Sequence, residues 1–372
     1  MSTVLACGAW LKNAACLLQD GQITWSPQHG DLDDPASCIA LEASVARVVA
    51  QADGALDAVA HDLHPDFFSS RLAVRVAAEL GVQAIGVQHH LAHIGVVMAE
   101  QKVSGAVIGV ALDGVGMGTD GLAWGGELLL VDGAQWQRLG HLHALALPGG
   151  DVAAREPWRM AASVLHALGR GAEITPRYTG AVGKMAAQTV QAMLARDLRC
   201  PLTSSAGRWF DAAAGALGIS VRQGAEAEAA IALERLASAY LTSHAAPDCR
   251  DGYVIDAAGA LDLRPVLARL FALADSIDPH AIAFGAALFH LTLVDGLVDW
   301  ITAAAGTHHL STVVLGGGCF FNRILAERLT TALHHRGLRS VLPDVVSCGD
   351  AGLALGQTWV ASQQLKEVSV CV

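Results

Sequence analysis

His89 and His93 stand four residues apart in the run Gln88-His89-His90-Leu91-Ala92-His93. On a helix this spacing places both rings on one face, within reach of one metal ion. A complete site needs further ligands. Asp113 follows an apolar run, and Asp350 lies in Cys348-Gly349-Asp350-Ala351-Gly352 at a helix start, so both are candidates. Mixed His and carboxylate donors suit Zn²⁺, Fe²⁺ or Mn²⁺, and spacing does not choose among them. His90 is expected to face elsewhere. The pairs His308-His309 and His334-His335 read as surface residues.

Three glycine turns could cradle phosphate, because backbone N–H groups approach an anion closely where no Cβ intervenes. They are Gly8 with Lys12, the run Asp113-Gly114-Val115-Gly116-Met117-Gly118, and Gly316-Gly317-Gly318 ahead of Asn322. Each taken alone is equally a tight turn of an α/β sheet. Two further runs are dense in polar groups. Leu147-Pro148-Gly149-Gly150-Asp151, leading to Arg155-Glu156-Pro157-Trp158-Arg159, reads as an anion clamp or a salt-bridged helix start. Thr203-Ser204-Ser205-Ala206-Gly207-Arg208, ahead of Asp211, reads as a ligand loop or a capped helix start. Gly224-Ala225-Glu226-Ala227-Glu228 opens a helix whose acidic start suits the helix dipole.

The elements that must position these residues alternate between strand and helix. Val4–Cys7, Ala14–Asp20 and Gln22–Ser26 form a meander. Helix Cys38–Asp53, strand Ala58–Ala60, helix Ser69–Leu80, strand Gln83–Val87 and helix His90–Glu100 follow. A second meander is expected at Ala106–Leu112, Leu122–Val131 and Gln135–His143. A helical middle covers roughly 155–304. Strand Thr312–Leu315, helix Asn322–Arg336, strand Ser340–Leu342 and helix Ala351–Gln363 close the pattern. Such alternation is α/β. Two meander-led units predict two similar lobes, residues 1–105 and 106–351, with a cleft between them. The tail from about 352 to 372 is expected to pack back on the first lobe.

Composition bounds the function. The 372 residues are 53% hydrophobic and 16% charged, so the chain is not disordered. The net charge is 24 − 35 = −11, which argues against a stand-alone nucleic-acid binder. The most apolar run, Ala281 to Val294, is short for a membrane span and ends at Asp295, so it reads as a buried helix. The start MSTVLACGAWLKN has no signal-peptide pattern, and a cytoplasmic, membrane-free protein is expected. The eight cysteines include no CxxC pair and read as small core residues.

Taken together, the motifs resemble the HypF family. These are QHHLAH, LDGVGMGTDG, WGGE, LPGGD, REPWR, PLTSSAGRWFD, GGGCFFNR and GDAGLALGQ, with GAWLKN and HDLHPD upstream. The match is collinear from about residue 4 to residue 360. It is to the C-terminal transferase module, which is similar to the TsaD family and to the antibiotic O-carbamoyltransferase TobZ. The resemblance implies two RNase-H-like lobes of the actin/hexokinase (ASKHA) superfamily. It implies a divalent metal, iron or zinc, at His89, His93, Asp113 and Asp350, with Mg²⁺ accompanying the nucleotide. Nucleotide contacts are implied at Lys12, Gly114, Gly116, Ser205, Gly207, Asp211, Gly316, Gly317, Gly318 and Asn322, and catalytic roles at Lys12, Asp113 and Arg155.

The implied activity is ATP-dependent transfer of a carbamoyl group. Carbamoyl phosphate is converted to carbamoyl-adenylate, and the carbamoyl group passes to the C-terminal cysteine of HypE. It then becomes the cyanide ligands of the [NiFe]-hydrogenase iron. No acylphosphatase, zinc-finger or YrdC-like domain is expected in these 372 residues. Carbamoyl-adenylate is made in the family's YrdC-like domain, so the chain is expected either to be fed by a separate YrdC-like polypeptide or to use carbamoyl phosphate by itself. Leu91 replaces a His usual in the family, and Cys319 and Phe321 also depart from its pattern. A TsaD-like tRNA threonylcarbamoyl transferase and a non-catalytic nucleotide-binding scaffold are the alternatives.

Overall fold

The structure is a computed structural model that describes residues 2–370. Its first sheet holds β1 (Val4–Ala6), β2 (Cys16–Gln19), β3 (Gln22–Trp25), β4 (Ala58–Asp62) and β5 (Gln83–Val87), in the order β3-β2-β1-β4-β5. β1, β2 and β3 are antiparallel neighbours, while β4 is parallel to β1 and to β5. α1 (Pro35–Gln51), α2 (Phe68–Leu80) and α3 (His89–Glu100) connect these strands to the next unit.

The second sheet repeats the plan. β6 (Val107–Met117), β7 (Ala123–Asp132) and β8 (Gln135–Leu142) form the meander. The short β9 (Leu145–Ala146), β10 (Leu202–Thr203), β11 (Val254–Ile255) and β12 (Ala260–Asp262) extend it. β13 (Thr312–Gly316) and β14 (Arg339–Val341) add parallel strands beside β6. The central order β8-β7-β6-β13-β14 matches β3-β2-β1-β4-β5 strand for strand. The two-lobed, RNase-H-like α/β architecture expected from the sequence is therefore observed. Between β9 and β13 lie α4 (Asp151–Arg155), α5 (Pro157–Ala167), α6 (Ile174–Val182), α7 (Lys184–Ala195), α8 (Ala206–Ala216), α9 (Glu228–Ser243), α10 (Arg264–Ala274) and α11 (Ala281–His308). After them come α12 (Arg323–His335) and α13 (Leu353–Val370).

Strand periodicity explains the layering, since alternate side chains face opposite sides of a sheet. On β1, Leu5 faces a core built with α1 and α2, while Val4 and Ala6 face a core shared with α3 and α13. On β6, Val107 and Ala111 join that same central core, and Ile108, Val110 and Leu112 face the large core of the helical middle. α3 packs on β6 and β13, and α13 packs on β1, β2 and β4. The two helices cross where Gly95 meets Gly356. A Cβ on Gly356 would sit 1.8 Å from the Ala92 carbonyl oxygen, so the approach requires glycine.

Two elements differ from the sequence reading. β6 does not end at Leu112 but continues through Asp113 to Met117, with a bulge between Leu112 and Gly116. The glycine run is thus largely within the hairpin with β7 rather than a turn between the two strands. α11 is also longer than the apolar run suggested. It is long and apolar enough to cross a membrane, and 72% of its most apolar window is buried inside the molecule. Cys7, Cys16, Cys200 and Cys249 are buried, Cys38, Cys319 and Cys348 are half-buried, and Cys371 lies outside the described residues.

Candidate functional site

α3 begins at His89, with Gln88 as its N-cap accepting the Leu91 N–H at 2.8 Å. His89 and His93 therefore share one face at the head of the helix. Asp113 enters from the bulge of β6, and Asp350 opens the short turn Asp350–Gly352 before α13. One donor atom from each of the four lies within 4.8 Å of the others. His89 Nε2 is 3.4 Å from Asp113 Oδ2 and 3.6 Å from Asp350 Oδ1. His93 Nε2 is 3.6 Å from the same two oxygens.

Both histidines and Asp113 are buried. Buried polar atoms are normally hydrogen-bonded. Yet Nε2 of His89 and both ring nitrogens of His93 have no hydrogen-bond partner among the described residues. Two imidazoles and two carboxylates that converge but stop short of bonding one another suit a divalent cation of the Zn²⁺ or Fe²⁺ kind. The four residues singled out from the sequence thus fit the ion they were expected to hold.

The surrounding contacts orient these donors. His89 Nδ1 donates to Asp62 Oδ2 at 2.8 Å, which leaves Nε2 as the free donor atom. Asp62 is fully buried at the end of β4, and its other oxygen accepts the His64 N–H at 2.9 Å. Sequence spacing did not point to Asp62. The Gly318 N–H donates to Asp113 Oδ1 at 2.9 Å, so Asp113 Oδ2 faces the histidines. A Cβ on Gly116 would sit 2.6 Å from the His89 ring, so this position must stay glycine.

The charges follow from this packing. Burial disfavours a charged His89, but the carboxylates of Asp113, Asp350 and Asp62 outweigh it and raise its pKa well above the usual imidazole range. Burial likewise opposes ionisation of Asp113, and His93 and His89 overcome it, holding its carboxyl well below the usual range. His90 stays neutral, with its pKa pushed well down by burial; its Nδ1 pairs with Gln88 Nε2 at 3.0 Å, apart from the cluster.

The remaining expected residues fall into two groups. Gly316, Gly317 and Gly318 run beside Asp113, and Ser205 Oγ donates to the carbonyls of Asp113 and Gly114, so these residues border the cluster. Gly207 packs on Gly114. Other residues have their polar atoms committed within the chain. Asn322 caps α12, accepting the Leu325 N–H at 2.9 Å, and contacts His290 Nε2 at 2.9 Å. Asp211 is buried and pairs with Arg208 at 2.7 Å and Gln223 at 3.1 Å. The Gly8 N–H donates to Gln357. Lys12 Nζ meets Glu226 at 2.7 Å with its side chain about half exposed. Arg155 lies exposed at the end of α4, outside the four-residue cluster. Its neighbours Glu156, Trp158 and Arg159 bond one another, so that run is a salt-bridged helix start.

The chain as a whole is similar to known proteins. The HypF Kae1-like domain family matches residues 1–100, and the family described as carbamoyltransferase, Kae1-like domain, second subdomain matches residues 109–357. A carbamoyltransferase HypF homolog of Cupriavidus necator is 62% identical, covering 97% of this chain and 92% of that protein. Carbamoyltransferase HypF of Rhizobium leguminosarum bv. viciae is 40% identical, covering 97% of this chain and 45% of that protein. A crystal structure of full-length HypF in the phosphate- and nucleotide-bound form superposes with a TM-score of 0.87 at 29% identity, over 98% of this chain and 47% of that one. The chain thus spans nearly the whole of one relative and about half the length of the others. On these matches, which together run through almost every residue, the chain belongs to the HypF carbamoyltransferase family and spans its Kae1-like module.

Proposed function

We propose that this chain is a carbamoyltransferase of [NiFe]-hydrogenase maturation. It transfers the carbamoyl group of carbamoyl-adenylate, made from carbamoyl phosphate and ATP, to the C-terminal cysteine thiolate of HypE. The sulfur–carbon bond forms as the bond from the carbamoyl carbon to the AMP oxygen breaks. The thiocarboxamide so formed supplies the cyanide ligands of the hydrogenase iron. The observation that carries this reading is the convergence of buried His89, His93 and Asp113 with half-buried Asp350 in a chain of this family.

Those four residues would hold the metal, a Zn²⁺ or Fe²⁺ ion, which when bound supplies Lewis-acid stabilisation of phosphate charge. The chain's own groups do the rest. Asp62 holds the His89 tautomer, and the Gly318 N–H holds the rotation of Asp113. Lys12 and Arg155 are assigned to the departing phosphate groups; Lys12 exchanges Glu226 for that anion. The Gly114–Gly116 and Gly316–Gly318 stretches wall the nucleotide, Ser205 and Gly207 brace Gly114 from behind, and Asp211 and Asn322 are assigned to the nucleotide beside them. The nucleophile comes from HypE. Buried thiols among the described residues are unsuited to that task, with Cys7 and Cys16 pushed up to about 12 by burial.

The test is to incubate the chain with carbamoyl phosphate, ATP and HypE, with and without a YrdC-like polypeptide, and to weigh HypE. HypE gains one carbamoyl group. A requirement for the YrdC-like partner would assign adenylate formation to that partner. No mass gain under either condition overturns the proposal.

A further inference from the structure

α3 carries His89 and His93 at its first turn and Glu100 as its last helical residue. An acidic side chain at a helix C-terminus opposes the dipole, so helix stability does not explain Glu100. Its contacts do. Glu100 Oε2 accepts the Asp344 N–H at 2.8 Å, and Oε1 accepts the N–H groups of Val345 and Val346 at 2.7 Å each. Three consecutive backbone donors converging on one carboxylate form an anion nest. The bonded segment leads directly into Ser347-Cys348-Gly349 and then Asp350. These bonds also hold the Glu100 carboxyl below its ordinary pKa, against the opposing effect of burial.

Val346 of this loop packs on the central core, whereas its outer side is open. Val345 is 88% exposed. A cavity of about 370 Å³ separates Val345, Val346 and Ser347 from Ala14, Trp25 and Ser26 of the first lobe. Further along, the Cys348 carbonyl accepts the Gly317 N–H at 3.0 Å, which joins the loop to the turn that holds Asp113.

We propose that Glu100 is a positioning residue for Asp350: from the far end of the helix that bears both histidines, it holds the Asp344–Val346 loop so that Asp350 faces them. This rests on the metal reading of the four-residue cluster. One rigid helix would then set three of the four donors, two directly and one through its last carboxylate. Glu100→Gln keeps the side-chain shape but offers one acceptor oxygen and turns an NH₂ group toward N–H donors.

The experiment is a Zn²⁺ titration of the full chain against a chelating dye. It compares wild type, Glu100→Gln, Asp350→Ala and the double variant, with circular dichroism to establish that each is folded. Glu100→Gln weakens Zn²⁺ binding about ten-fold. In the Asp350→Ala background the same change alters affinity less than about two-fold, because the residue through which it acts is gone. Amide exchange of Asp344–Val346 quickens in metal-free Glu100→Gln, a readout independent of the ion. An undiminished affinity in Glu100→Gln overturns the proposal, as does an equal loss in both backgrounds. If Glu100→Gln does not fold, Glu100→Ala takes its place in the cycle under the same criteria. A wild-type chain that takes up no Zn²⁺ overturns the metal reading itself, and this proposal with it.

Discussion

Asp62 acts on the cluster from one residue behind it. Its carboxylate accepts from His89 Nδ1 while itself fully buried, so removal leaves a buried imidazole N–H without a partner and lets the ring turn. Asp62→Ala is expected to lower metal affinity roughly 10- to 100-fold, read by the same dye competition, with a smaller effect for Asp62→Asn. His290 is a second residue with a measurable signature. It is buried on α11, donates from Nδ1 to the Ala286 carbonyl and accepts from Asn322, and burial lowers its pKa to about 4. Unfolded, it titrates near 6.5. Between these values the unfolded chain takes up a proton that the folded chain refuses, so the stability is full above about pH 6.5 and falls as the pH falls. Wild type should lose about 2 kcal/mol more than His290→Gln between pH 7 and pH 5, measured by urea unfolding. An equal slope in the two proteins would refute the assignment. Of the donors around the cluster, His89 and His93 were legible because their relation is local. Asp62 lies 27 residues from His89, on strand β4 rather than on α3, and no spacing rule joins them. The available signal was an acid at the end of an apolar strand, the same signal that exposed Asp113.

At the scale of elements, the site depends on the crossing of α3 and α13. One helix brings the histidines and the other follows Asp350, so their separation sets the distance between the donors. Gly356→Ala places a methyl group against the Ala92 carbonyl, where only backbone can yield. The expected cost is roughly 1–3 kcal/mol of stability by chemical denaturation. A weaker metal affinity should accompany it, although residue 356 touches no ligand atom. The alternating strands and the lone helices were readable from periodicity because each buries one face. β6 was cut short at Leu112 because three glycines in the next six residues look like a loop. Pairing of Gly116 and Met117 with Trp124 and Ala123 keeps them in the strand, and the bulge turns Asp113 inward. α11 was ended at Asp295 for a similar reason. Asp299, one turn later, finds partners at the surface in Tyr253 and Arg336, so two acids do not stop the helix.

At the scale of the whole molecule, the cluster fastens together segments that are far apart in the chain. Residues 89 and 93 lie on α3, residue 113 on the second sheet and residue 350 at the entry to α13, a span of 350 − 89 = 261 residues. An unfolded chain cannot gather these four donors without a large loss of conformational freedom. An ion held by these four donors would therefore bind the folded state in strong preference, and its binding free energy would appear as stability. At a free Zn²⁺ concentration one hundred times Kd the gain is about 2.7 kcal/mol. For a chain of this length that corresponds to a rise in Tm of roughly 3–4 °C over the chelated protein. The measurement is differential scanning fluorimetry with Zn²⁺, Fe²⁺ kept reduced, or EDTA. His93→Ala should lose the rise while retaining the Tm of the chelated wild type to within a few degrees, since His93 has no hydrogen-bond partner among the described residues to forfeit. A full metal-dependent rise in His93→Ala would place the ion elsewhere. A large fall in its chelated Tm would mean that the ring packs the joint between the lobes rather than waiting for a ligand.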